Sequence, residues 1–260
     1  MTPAVTYTFR DRVGYIRLSD GDRGNPISQR LVDELAAAVR RAREDNVHVV
    51  VISAEGKVFS VGGDLAELAS AGDRVGYAVD DLADGLHRVI SELHRIDAIV
   101  VSVVQGVAAG GGLGLAAAGD LVLASATARF TYAYNKIGFS PDGGASVLPA
   151  SIGLRRALHL ALRNPVLSAQ DALAIGLVSE LHPADLLQQA VDDLVDELRR
   201  GSHTAQVATK RLLRQSALAN EDSALRRETV SVRECAGSPD GREGVAAFID
   251  KRAAAFPSNQ

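Results

Sequence analysis

Between Asp97 and Asp120 the chain runs for 22 residues without a charged side chain, and six of them are glycine, at positions 106, 110, 111, 112, 114 and 119. The length matches a membrane-spanning helix. The composition does not. Glycine is too dense, Ser102 and Gln105 interrupt the apolar run, and aspartates flank it in place of a Lys/Arg bias or an aromatic belt. A buried strand over Ile99–Val104, a glycine-rich turn and a helix of small residues opening at 110–114 account for the same letters. A β-branched run without polar alternation must be covered on both faces, so the stretch commits the chain to a layered α/β core.

The flanking sequence is consistent with that commitment. Residues 7–9 and Val13–Leu18 read as a hairpin broken by the charged residues 10–12, and 48–53 reads as a second buried strand. Segments 121–124 and 129–132 are strand-like. Asn25-Pro26 reads as a helix start, continued by Leu31, Leu35, Val39 and Ala42 on one face. Residues 54–63 read as a loop, followed by a helix from Asp64 to about Ser70. Val79, Leu82, Leu86, Val89, Ile90 and Leu93 form the apolar face of a longer helix, with His87 and His94 expected on its polar side. Beyond Pro149 the chain reads as largely helical. Ser168 caps a helix closed by Gly176, and Pro183 is expected to start another. Alternation of strands and helices gives way to helices near residue 180. The division expected is a core over 1–200 and a helical region over 201–260. Periodicity alone does not separate a ββα superhelix from a doubly wound sheet.

Composition narrows the function. The chain has 260 residues, 47% hydrophobic and 23% charged, which suffices to bury a core and excludes disorder as its main state. The 28 Lys and Arg against 32 Asp and Glu leave a charge of −4, without the clustered cations that nucleic acid requires. Scarce aromatics and the lack of Trp weaken any model built on base stacking. One cysteine, Cys235, makes no internal disulfide. Arg10, Asp11 and Arg12 interrupt the apolar core that a signal peptide needs, so a cytoplasmic location and no membrane partner are expected. No His, Cys or acidic pair has metal-ligand spacing, and no metal is expected.

Two glycine turns carry the candidate chemistry. Gly112 to Ala117 fits the dinucleotide pattern G-x-G-x-x-A. However, 105–109 separates it from its strand, and no acid for a ribose lies between Asp120 and Asp142. The alternatives are close helix–strand packing, or bare backbone N–H groups offered to a ligand at a helix start. The run Lys57-Val58-Phe59-Ser60-Val61-Gly62-Gly63-Asp64 places a second glycine pair just before a helix. Two such turns, each after a buried strand, can aim two N–H donors at one oxygen, the requirement of an oxyanion hole.

Asn25-Pro26-Ile27, KVFSVGGDL at 57–65, QGVAAGGGLGLAAAGDLVLAS at 105–125, IGFSPDGG at 137–144, LSAQDALAIGLVSEL at 167–181 and EGVAAFIDKRAAAF at 243–256 together resemble the crotonase superfamily, the enoyl-CoA hydratase/isomerase family. The resemblance covers nearly the whole chain in the family's order. It implies a ββα superhelix with a C-terminal helical trimerisation region, and acyl-CoA substrates in which coenzyme A is part of the substrate, without a further cofactor. It also implies a homotrimer or dimer of trimers, and a thioester enolate held by two backbone amides. By motif position those amides are Gly63 and Gly111. The residues it places at the coenzyme A site are Asn25, Gly63, Asp64, Leu65, Gly111, Phe248 and Lys251, the last two from a segment that in relatives reaches a neighbouring subunit. Asp64 also has a structural reading as a helix N-cap.

The chain departs from the hydratase pattern at both glutamates: Gly114 stands at one position and Tyr134 at the other. Hydration uses two carboxylates to place water and move its protons. Gly114 cannot do so, and a phenol is a poor base. With Phe139, these two positions are expected to line the acyl pocket; Tyr77 and Tyr132 are further candidates for it. The segment Ser140-Pro141-Asp142-Gly143-Gly144 resembles that of isomerases of enoyl-CoA, whose acid after the proline is the single acid/base group. Asp142 is therefore the expected catalytic acid, in a double-bond isomerase. Pro-Asp-Gly-Gly is also a common turn. The alternatives are another enolate reaction, such as hydration or decarboxylation, and a catalytically silent acyl-CoA binding protein.

Overall fold

The structure is a computed structural model that describes residues 2–217 and 221–257. Its elements in order are β1 (Val5–Arg10), β2 (Val13–Leu18), α1 (Gln29–Glu44), β3 (Val49–Ala54), β4 (Val58–Ser60), α2 (Leu65–Ser70), α3 (Val75–Arg95), β5 (Ile99–Val104), β6 (Val107–Ala109), α4 (Gly111–Ala117), β7 (Leu121–Ser125) and β8 (Arg129–Thr131). They continue with α5 (Pro149–Ile152), α6 (Leu154–Arg163), β9 (Leu167–Ser168), α7 (Ala169–Ala174), β10 (Glu180–His182), α8 (Leu187–Arg200), α9 (His203–Ala217), α10 (Glu221–Gly237) and α11 (Pro239–Ile249).

Two sheets organise the chain. The larger has the order β1-β2-β3-β5-β7-β10, antiparallel at the β1–β2 hairpin and parallel beyond it. The smaller has the order β4-β6-β8-β9. The β-branched strands β3 and β5 lie inside, as their unbroken apolar runs require. Each of β3, β5 and β7 is followed within a few residues by a short strand, β4, β6 or β8, in the second sheet. A doubly wound protein would have a single sheet. The repeated step from one sheet to the other is the ββα superhelix of the crotonase type, and it brings the segments that follow β4, β6 and β8 to one place.

The local expectations hold for the hairpin, for β5, and for α2, where Asp64 is the N-cap and its carboxylate accepts from Glu67 N–H at 3.2 Å. Ser168 caps α7 in a capping box. Four differ. Asn25 does not cap a helix. Its φ is +51°, it has no exposed surface, and its amide donates to the carbonyls of Glu55 and Val58, both at 3.0 Å. It is also not among the residues that line the cavity described below. The helix begins at Gln29, capped by the Ser28 hydroxyl. The 54–63 loop contains β4, whose three residues are too few to show a period. Pro183 stands outside α8, which opens at Leu187, and the short strand β10 precedes it.

The C-terminal helices pack onto the core. Lys210 of α9 is buried, donates to the carbonyls of Leu93 and Ala98, and pairs with Asp120 at 2.8 Å. Asp120 also accepts from Val100 N–H and from Arg214, which makes it a structural tie. Helix α10 lies along α3, and α11 lies against α2 and the turn 134–137. Among the described residues no helix is long and apolar enough to cross a membrane.

Candidate active site

The segments after β4, β6 and β8 meet at a cavity of about 60 Å³. Gly63, Leu65, Gly111, Tyr134, Phe139 and Asp142 line it, with apolar side chains of α3 forming much of the remaining wall. Of the residues that line it, Asp142 is the only one with a carboxylate.

The two glycine turns abut. Gly62 has φ +90°, and a Cβ there would lie 2.9 Å from the Ala109 carbonyl. Gly110 has φ +53°, with Gly62 Cα 3.5 Å from the place of its own Cβ. Only glycine combines these dihedrals with this approach. The pairing of the first turn explains its free donor. Ile27 N–H donates to Gly62 O at 2.8 Å, and Asp64 N–H donates to Ile27 O at 2.9 Å. This bridge uses the groups on either side of Gly63 and turns the Gly63 amide away from Ile27. Gly111 is the first residue of α4, so its amide is one of the helix's orphan donors. Among the described residues neither amide has an acceptor.

Asp142 arrives from the long connection after β8. It is buried, and its Oδ1 accepts from the Tyr134 hydroxyl at 2.8 Å. No other hydrogen bond reaches the carboxylate among the described residues. Burial pushes the Asp142 carboxyl up to about 6, although the positive charge of a protonated His87 ring and the Tyr134 hydrogen bond pull it the other way. Burial and the neighbouring Asp142 charge push the Tyr134 phenol well above its ordinary range, so it acts as a hydrogen-bond donor.

Gly114 does not line the cavity, contrary to expectation. A Cβ there would fall 1.6 Å from the Gly143 carbonyl, so the loop that carries Asp142 occupies the space a side chain would need. Asp64 is not among the residues that line the cavity, and its carboxylate is shared between the α2 cap and Arg23. Phe248 and Lys251 lie outside the cavity and are exposed, at and just beyond the end of α11. Tyr77 is exposed and Tyr132 is buried in the core.

His87 and His94 are buried, not on a polar face. His87 Nε2 accepts from Gly143 N–H at 3.1 Å, and Glu228 on α10 accepts from Gly144 N–H at 2.9 Å and from Ser146 N–H. These two residues stand directly behind the Asp142 loop. His87 carried a sequence signal, because it shares a helical face with Ala83 and Ile90. Glu228 carried none, since nothing local distinguishes it from a surface acid of an amphipathic helix.

A family model for enoyl-CoA hydratase/isomerase matches residues 8–259. The trans-2-decenoyl-[acyl-carrier-protein] isomerase of Streptococcus mutans is 31% identical over 260 residues, covering 97% of each chain. A probable enoyl-CoA hydratase of Rhodobacter capsulatus is 30% identical over 249 residues, covering 95% of each. The crystal structure of an enoyl-CoA hydratase from Mycobacterium avium subsp. paratuberculosis superimposes with a TM-score of 0.88 at 34% identity, covering 97% of this chain and 98% of that one.

Proposed function

Since the chain belongs to the enoyl-CoA hydratase/isomerase family of the crotonase superfamily, and is an acyl-CoA enzyme of that type, we propose that it shifts the double bond of an enoyl-CoA with Asp142 as its single acid/base group. The observation that carries this reading is that, among the described residues, the cavity has a single carboxylate, buried, on a wall it shares with two amides that have no acceptor.

In this reading the thioester oxygen accepts from Gly63 N–H and Gly111 N–H. As a proton leaves C2 of a 3-enoyl-CoA, charge moves onto that oxygen, and the two fixed donors stabilise it more than they stabilise the ground state. An apolar wall strengthens both hydrogen bonds. Asp142 takes the proton from C2 and returns it at C4 of the planar dienolate, giving the conjugated 2-enoyl-CoA. A carboxyl titrating near 6 is ionised at neutral pH yet still basic enough to accept the proton and acidic enough to give it back. Tyr134 occupies one Asp142 oxygen and leaves the other for substrate. The chemistry is proton transfer alone, with coenzyme A carried in by the substrate.

Hydration would need a second carboxylate to hold water, and the Gly143 carbonyl fills the place where residue 114 would offer one. Incubation with a 3-enoyl-CoA, followed by the ultraviolet absorbance of the conjugated thioester, tests the reading directly. Conjugation in the wild type that is lost in Asp142→Asn supports it. A 3-hydroxyacyl product from a 2-enoyl-CoA would make it a hydratase, and loss of carbon dioxide from a malonyl-type thioester would make it a decarboxylase. Acyl-CoA binding without any conversion would make it a silent binding protein.

A further inference from the structure

The main chain that carries Asp142 is gripped from behind by two side chains that do not line the cavity. Gly143 N–H donates to His87 Nε2 at 3.1 Å, Gly144 N–H donates to Glu228 Oε2 at 2.9 Å, and Ser146 N–H donates to Glu228 Oε1. His87 belongs to α3 and Glu228 to α10, so the loop is pinned between helices 141 residues apart in sequence, counting from 87 to 228. Both side chains are buried.

The network places one proton of the imidazole. The Thr229 hydroxyl donates to Asp84 Oδ1 at 2.8 Å, so it accepts from His87 Nδ1, 3.0 Å away. Nδ1 then carries the proton, and Nε2 has its lone pair free for Gly143 N–H. The same Nε2 also lies 3.1 Å from Glu228 Oε2. A second proton on the ring would turn Nε2 from an acceptor of Gly143 into a donor to Glu228. One atom thus has two partners, and the charge of the ring selects between them.

We propose that His87 and Glu228 are positioning residues for Asp142: neutral His87 and ionised Glu228 together hold the 143–146 amides and so aim the carboxylate, and protonation of His87 releases Gly143. The inference rests on Asp142 being the base. The ionisable groups facing the ring are Glu228 from α10, Asp142 from the loop, and Asp84 on its own helix, which also binds Arg226; Tyr132 and Tyr134 lie on the β8 side of the same cluster. Burial alone would lower the His87 pKa, but the facing carboxylates raise it overall. The ring therefore gains its second proton above the ordinary imidazole value, so release of the loop begins at higher pH than the uptake of a proton by Asp142 at about 6.

Three variants test this with two readouts. Gln at 87 offers a carbonyl oxygen to Gly143 and does not titrate; Ala offers nothing. Glu228→Gln must turn an N–H₂ towards one of two donating amides. His87→Ala and Glu228→Gln are expected to lose about 10²-fold in kcat, the scale of a misaimed catalytic group, with KM little changed. His87→Gln should keep most of the activity at neutral pH. In the wild type the acid limb of kcat/KM should begin at higher pH than in His87→Gln and steepen to a slope of two below both titrations, since Asp142 must be ionised and His87 neutral; in His87→Gln it should fall with a slope of one throughout. Amide hydrogen exchange, corrected for intrinsic rates, supplies a readout that does not depend on turnover. Protection of the Gly143 amide should be lost in His87→Ala, be lost on acidification in the wild type, and persist on acidification in His87→Gln, with β5 protected throughout as the control for folding. Unchanged protection of the loop in His87→Ala, or an acid limb of the same slope in His87→Gln, overturns the proposal. Loop protection that responds as stated in a protein that converts no acyl-CoA overturns the isomerase reading and leaves the clamp standing.

Discussion

The Tyr134 hydroxyl donates to Asp142 Oδ1 at 2.8 Å, so the position that the family resemblance aligns with a hydratase glutamate here holds a donor aimed at the only acid that lines the cavity among the described residues. A hydrogen bond to a carboxylate favours its ionised form. Tyr134→Phe removes that bond and keeps the ring. At about 1.5 kcal/mol for a hydrogen bond to a charged group, the Asp142 pKa should climb by about one unit. The acid limb of kcat/KM should move to higher pH, with activity depressed near neutrality and restored in alkaline buffer. A limb that stays in place would mean the phenol does not tune the base.

Asp142→Asn separates activity from stability. Turnover should fall by about 10² to 10⁴-fold, the usual worth of a positioned acid or base. Stability should move the other way. The folded carboxyl titrates at about 6, above its ordinary 3.8. Between those values the folded state holds a proton that the unfolded chain has lost, so stability declines as pH rises through that window and stays reduced above it. Asn has no proton to lose. At pH 7 the variant should be more stable by on the order of 2–3 kcal/mol, with the difference vanishing below pH 4. Urea unfolding at pH 4 and pH 7.5 measures both ends of this dependence.

Gly114 has a different sensitivity. The Gly143 carbonyl lies 1.6 Å from the place of a Cβ, closer than any atom tolerates, so Gly114→Ala must displace the loop that bears Asp142. Overpacking of this kind costs about 1–3 kcal/mol. The expected outcome is a folded protein with a lowered Tm and a kcat reduced far more than its acyl-CoA affinity. Gly114→Glu should not gain hydratase activity, because the carboxylate has nowhere to go. A 3-hydroxyacyl product from that variant would refute this account of the loop.

The parts of this site differ in how far the sequence reveals them. Strand β5 and the two glycine turns are local: β-branched runs and paired glycines carry their own physical meaning, and motif positions at 63, 111 and 142 all fall on the cavity wall. Asn25 misleads because Asn-Pro suits both a helix start and a left-handed turn, and only the distant carbonyls of Glu55 and Val58 decide between them. His87 misleads because a polar side chain on an apolar face looks like a surface residue until its partners are known. Those partners, Gly143, Thr229 and Glu228, come from two segments far along the chain. Gly114 signals the loss of a carboxylate, but not that another loop has moved into its place.

The expectation of an oligomer is open to a direct test through α6. Leu154, Leu158 and Leu162 recur every four residues on one face of that helix and are 63%, 47% and 69% exposed. Val166, just beyond the helix, is 60% exposed. Side chains at i and i+4 share a face, so these leucines form a continuous apolar stripe. A stripe of this kind marks an interaction surface, and for a homotrimer or dimer of trimers the partner is a second copy of this chain. Light scattering of the wild type at micromolar concentration should give a multiple of the 27.3 kDa chain. Leu158→Asp together with Leu162→Asp should shift the mass to one chain, because an unpaired carboxylate in an apolar interface costs more than the contact returns. Far-ultraviolet circular dichroism of the variant should match the wild type, since both side chains already face solvent in the single chain. An unchanged mass would place the subunit contact elsewhere.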